Sequence, residues 1–117
     1  MDRQRERRLR DALDAAKLIQ EMVRSQTFDG YLSDEWFRAA LERKLEIIGE
    51  ALNTVRRIDP TIETVFPALR EWPALRNALS HVYFQIDHAA IWEIATIEIP
   101  DLIATLDRLL AVWEDES

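Results

Sequence analysis

Apolar residues at positions 9, 12, 13, 16, 19 and 23 recur every three or four residues, with Lys17, Gln20, Glu21 and Arg24 between them, the spacing of a helix buried along one face. That first helix ends before Thr27-Phe28-Asp29-Gly30, where the Asp-Gly pair predicts a turn. Ser33 is the expected N-cap of the next helix, with Asp34 and Glu35 in its first turn, where acidic groups suit the positive end of the helix dipole. Phe37, Leu41, Leu45, Ile48, Leu52 and Val55 form one stripe of this second helix, and Trp36, Ala40, Ile47 and Ala51 form another beside it. Lys44 falls between the stripes, so its stem snorkels along apolar surface, pairs with a carboxylate, or faces a pocket. Arg56, Arg57 and Asp59-Pro60 close the helix.

Residues 60 to 72 predict a short helical turn and a connection, with Val65 and Phe66 packing inward. Trp72 before Pro73 is biased toward extended geometry, and Pro73 suits the first position of a third helix. In the last segment Ile91, Ala95, Ile99, Leu102, Leu106, Leu109 and Trp113 keep helical spacing through Pro100. One long helix results, capped near Asp87 and kinked where Pro100 removes a backbone hydrogen bond. The pattern predicts an all-α protein, an up-and-down bundle of four to five helices with a kinked C-terminal helix, forming a single domain over 1–117.

Composition narrows the chemistry. A chain of 117 residues with 48% hydrophobic content buries one modest core. No apolar run approaches the roughly 20 residues of a membrane span, and the arginine-rich N-terminus lacks a following apolar stretch, so a cytoplasmic protein without membrane insertion is expected. There is no cysteine, and the only histidines are His81 and His88, so no metal site and no cofactor is expected. The net charge is -7, but the first ten residues hold five arginines against Asp2 and Glu6. An acidic bulk repels nucleic acid, so any RNA contact must be local. The arginine run reads as a solvated helix face, a partner-docking arm, or an RNA contact.

The densest candidate chemistry is "RNALSHVYF", residues 76 to 84, on the third predicted helix. At about 100° per residue, Leu75, Leu79 and Val82 face the core. Arg76, Ser80 and Tyr83 fall on one flank of the opposite arc, and Asn77, His81 and Phe84 fall on the other. Arg76 and His81 stand about 140° apart on an ideal helix. They converge if the arginine curls across Asn77 and Ser80, if the helix loosens after Leu79, or if a twofold axis pairs two copies of the arc. Spacing alone equally allows a structural role, with Arg76 paired to Glu50 or Glu71 and His81 capping carbonyls.

Arg76, then Asn77 to Ser80, His81, Val82 and Tyr83 resemble the R-x4-H-x-Y signature of the HepT family, small helical proteins of the HEPN superfamily. "LEIIGEAL", residues 45 to 52, resembles the text that precedes the motif in that family, and the "IW" at 91 and 92 and the proline-containing last helix agree with it. The family pattern has Gly after the His and after the Phe, where this chain has Val82 and Gln85. The resemblance implies a HEPN-like bundle and the toxin of a type VII-like toxin-antitoxin pair. Such a protein is a metal-independent endoribonuclease acting as a homodimer. Its partner is a minimal nucleotidyltransferase antitoxin that adenylylates the motif tyrosine. Carried onto this sequence, Arg76 and His81 are catalytic, Asn77 and Ser80 support them, and Tyr83 is modified. The RNA substrate, tRNA or messenger, stays open. The alternative is a non-catalytic HEPN module that binds a nucleotide or docks the nucleotidyltransferase.

Overall fold

The computed structural model describes residues 3–70, Trp72 and residues 87–116, and no strand occurs among them. Helix α1 spans Arg3–Arg24, α2 Phe28–Ser33 and α3 Glu35–Ile58. Two 3-10 turns come next, Pro60–Thr64 and Pro67–Arg70. The chain then resumes in α4, His88–Glu93, which runs through a π-helical turn, Ile94–Glu98, into α5, Ile99–Glu116.

The long stripes make the core. Leu9, Ala12, Ala16 and Ile19 of α1 meet Leu41, Leu45, Ile48, Leu52 and Val55 of α3, all with no solvent exposure. Small side chains on α1 let the two helix axes approach closely, and each buried leucine or isoleucine adds about 1.5–3 kcal/mol relative to exposure. Ile91, Ala95, Ile99, Leu102, Leu106 and Leu109 complete the core from the last helical rod. Trp113, predicted in the same stripe, lies outside the described side chains.

Helix directions are set by two contacts. Arg5 near the start of α1 pairs with Asp59 just past the end of α3, at 2.5 Å, so these helices are antiparallel. Tyr31 of α2 bonds His88 at the start of α4, so the last rod begins where α1 ends and returns along it. The all-α, up-and-down arrangement is the predicted one.

Several local expectations are corrected. The Thr27–Gly30 turn is instead the start of α2, because the Thr27 hydroxyl caps it, accepting from the Gly30 N–H at 3.0 Å. The N-cap of α3 is Asp34, accepting from the Phe37 N–H at 3.0 Å, while the Ser33 hydroxyl turns back to donate to the Gly30 carbonyl. Val65 is 54% exposed, because Ile62, Phe66 and Leu69 take the inward positions of the 3-10 turns. The second stripe of α3 divides: Ala51 is buried, but Trp36 is 88% exposed and Ala40 lies in solvent.

Asp87 caps α4 as expected, accepting from the Ala90 N–H at 3.1 Å. The disturbance predicted at Pro100 takes the form of the π turn. Pro100 has no N–H, and its ring crowds the carbonyl four residues earlier, which is that of Thr96. Widening the preceding turn relieves the crowding. There the Ile99 N–H reaches Ile94 O, and the Thr96 hydroxyl donates to the Trp92 carbonyl at 2.8 Å.

The tie between α1 and α3 carries a pH dependence. The Thr61 hydroxyl holds the Asp59 carboxyl below its ordinary range, burial works against it, and the Arg5 guanidinium reinforces it. A lowered folded pKa contributes stability that is present above the unfolded value of about 3.9 and is lost as pH falls through the folded one. Asp59→Asn is therefore expected to lower stability at neutral pH and to flatten the acid limb of the unfolding curve. A variant whose stability falls as steeply below pH about 4 as the wild type would contradict this assignment.

Candidate functional site

Arg76, Asn77, Ser80, His81 and Tyr83 lie outside the described residues. The structure describes Trp72 before them in the sequence, Asp87 after them, and the surfaces of the other helices.

On the N-terminal side, Trp72 is 8% exposed and lines a small cleft of about 180 Å³ with Phe66 and Ala68. The opposite wall is Glu98, Asp101, Leu102 and Thr105 of the last rod. Pro73 follows Trp72 directly in the sequence, so the buried indole is the last described residue before the motif segment.

On the C-terminal side, Asp87 and His88 anchor the start of α4. The Ile91 N–H donates to the Asp87 carbonyl at 3.0 Å, closing the first turn of α4. The His88 ring stands edge-on to Tyr31, centroids 5.6 Å apart, with Nδ1 2.9 Å from the tyrosine hydroxyl. Tyr31 has no solvent exposure and packs against Phe28, Phe37 and Trp92, with ring centroids at 6.1, 6.2 and 5.5 Å. Burial, with the nearby Glu42 charge, pushes its hydroxyl up to about 12 against the opposing pull of Arg38. The phenol therefore stays protonated and shares a hydrogen bond with Nδ1, whose direction follows the imidazole tautomer.

Around this bond sits a charged collar. Burial raises the Glu42 carboxyl above its ordinary range, and Glu46 adds to the rise, while His88 and Arg38 oppose it. Arg38 donates to the Tyr31 carbonyl at 3.3 Å and also to the Leu32 carbonyl, holding the end of α2 against α3. The pattern along the chain held no sign of this cluster, because Tyr31 and His88 are 57 residues apart and neither belongs to a motif. The faint signal available was Asp87 as a cap, which places His88 and Trp92 on one face four residues apart.

A second surface is an open groove of about 430 Å³ between α1 and α3. Arg8, Asp11 and Asp14 line one wall, with Lys44, Glu50 and Thr54 on the other. Lys44 thus faces a groove bearing carboxylates rather than only covering apolar surface with its stem. Glu50, one of the partners considered for Arg76, lies 3.9 Å from the Arg43 guanidinium at this edge. Among the described residues no group of three His, Cys, Asp or Glu side chains is placed to hold a metal ion. No helix among them is long and apolar enough to cross a membrane.

Similarity to known proteins extends across these elements. The profile of the family described as "Ribonuclease HepT-like" matches residues 12–109. The chain is 34% identical over 105 residues to "Probable ribonuclease HepT" of Thermococcus cleftensis, covering 86% of this chain and 91% of that one. It is 33% identical over 96 residues to "Putative RNase MJ1380" of Methanocaldococcus jannaschii, covering 80% and 85%. Against "Putative RNase MJ0127" of the same organism it is 31% identical over 110 residues, covering 92% and 88%. No solved structure matches the chain. The matched span begins within α1, contains the R-x4-H-x-Y segment and ends within α5, so the chain belongs to the HepT-like ribonuclease family of the HEPN superfamily.

Proposed function

We propose that this protein is a metal-independent endoribonuclease, the toxin of a toxin-antitoxin pair, working in the cytoplasm as a homodimer. The observation that carries this reading is family membership over residues 12–109, a span that includes Arg76, His81 and Tyr83 in the family spacing.

The chemistry suits those side chains. RNA supplies its own nucleophile, so the neutral imidazole of His81 takes the proton of a 2′-hydroxyl without help from a metal. The 2′-oxygen bonds to the adjacent phosphorus, the bond to the 5′-oxygen breaks, and that oxygen leaves with a proton. The products are a 2′,3′-cyclic phosphate and a 5′-hydroxyl. Arg76, permanently charged and fork-shaped, stabilises the charge that builds on the phosphate. Asn77 and Ser80, which fall between them in the sequence, orient the pair. In a homodimer the twofold axis brings two copies of this arc into one cleft.

Tyr83 is the point of control. Its hydroxyl attacks the α-phosphate of ATP on a minimal nucleotidyltransferase antitoxin, releasing pyrophosphate and a proton. The adenylyl group then fills the cleft beside Arg76 and excludes RNA by bulk and negative charge. A second reading, a non-catalytic module that binds a nucleotide or docks the nucleotidyltransferase, is favoured by Val82 and Gln85, which narrow the backbone's conformational freedom where the family pattern has glycine.

Expression of the chain alone is expected to arrest growth. Co-expression with the nucleotidyltransferase is expected to relieve the arrest and to add adenylyl mass, read on the intact protein. Tyr83→Phe should take no adduct. A protein that never gains the mass, or gains it equally in Tyr83→Phe, contradicts the proposed control.

A further inference from the structure

The arginine run has no role in the motif chemistry, and local stability does not explain it. Cations at the first turns of a helix oppose its dipole, and acidic residues belong there. Yet α1, 22 residues long, opens with arginines at 3, 5, 7, 8 and 10 and has only Glu6 as an acid in its first turn.

Three of the five are neutralised within the fold. Arg5 pairs with Asp59, Arg8 with Asp11 at 3.1 Å and Arg10 with Glu6 at 3.1 Å. Arg3 and Arg7 are exposed and have no carboxylate within ion-pair distance among the described residues. The Arg5–Asp59 pair brings two more arginines to the same end of the bundle. Arg56 donates to Asn53 and Arg57 to Thr54, both neutral acceptors, so their charges also stand uncompensated among the described residues. Arg57 is bonded to Thr54, and Thr54 lines the same groove as Arg8 of α1.

We propose that Arg3, Arg7, Arg56 and Arg57 form a patch that holds the phosphate backbone of single-stranded RNA. This rests on the ribonuclease reading for its choice of partner. Four uncompensated cations on a chain of net charge -7 form an isolated positive field, which an anionic polymer meets as a local site. Arg3 and Arg7 lie one turn apart, about 6 Å along the axis, close to the spacing of successive phosphates on a strand. All four are arginines, whose planar forks match phosphate oxygens in pairs.

The test measures anisotropy of a fluorescein-labelled single-stranded RNA across a salt series, with the full chain carrying His81→Ala so that the probe survives. Adding Arg3→Gln, Arg7→Gln and Arg57→Gln is expected to weaken binding at low salt by about 10- to 100-fold and to flatten the log-log salt slope by about 2. Arg3→Gln with Arg7→Gln alone should flatten the slope by about 1.4. That pair should also raise the melting temperature, because it removes cations from the positive end of α1. A structural role would lower the melting temperature and leave the slope alone, and that result overturns the patch. So does a triple variant with unchanged affinity and slope, or a parent protein that binds no RNA. If the wild type cleaves RNA while the triple variant binds as its parent does, the patch falls and the nuclease reading stands. Slope-dependent binding by a wild type that never cleaves gives the reverse.

Discussion

Replacing His81 with alanine is expected to lower the rate of RNA cleavage by about 10²–10⁴-fold, the usual contribution of a positioned general base. Arg76→Ala is expected to cost about 10²–10³-fold, as removal of a donor aimed at developing charge does. Arg76→Lys should recover little of it, because a point charge cannot replace a two-pronged contact. The effects should fall mainly on kcat, since both groups act on charge and protons that change in the transition state. If His81→Ala cleaves within a few-fold of the wild type, the imidazole is not the base. The family assignment would survive that outcome, but the proposed mechanism would not.

Tyr31→Ala is expected to destabilise the fold by about 3–5 kcal/mol, the range for emptying a buried aromatic site. The ring is fully buried among Phe28, Phe37, Trp92 and His88, so its loss opens a cavity at the junction of α2, α3 and α4. Tyr31→Phe keeps the packing and removes only the hydroxyl, leaving His88 Nδ1 without its partner, at a cost of about 1–3 kcal/mol. Denaturant unfolding separates the two. Equal losses in both variants would mean that the hydrogen bond matters more than the packing, against this account. Because His88 comes only a few residues after the motif segment, Tyr31→Phe should also loosen the C-terminal anchor of that segment.

The parts of the fold legible along the chain are those set by long periodic stripes. Leu41 through Val55 and Ile91 through Leu109 are buried where the pattern placed them, because burying one face of a long helix leaves no competing register. Short-range choices were less legible. Ser33 and Asp34 are both good caps, and the structure uses Asp34 while Ser33 closes α2. Thr27 turned an expected Asp-Gly turn into a helix by capping it. Trp36 lies on the helical arc of a buried stripe but at its solvent end, where periodicity cannot tell a packed indole from an exposed one.

The candidate site divides in the same way. The R-x4-H-x-Y segment is contiguous, so spacing and family resemblance expose it directly. The Tyr31–His88 anchor joins residues 57 apart, and only the packing of α2 against α4 brings them together. The basic end of the bundle was half visible, as an arginine run whose partners across the Arg5–Asp59 pair only the fold supplies.

The central claim is that this chain cuts RNA with its own side chains, and one measurement meets it directly. Purified wild type and His81→Ala are incubated with single-stranded RNA in excess EDTA, and the ends of the products are identified. The expected result is cleavage by the wild type alone, leaving 2′,3′-cyclic phosphate and 5′-hydroxyl ends. An RNA left intact by the wild type, or cut only when a divalent metal is restored, would contradict the account.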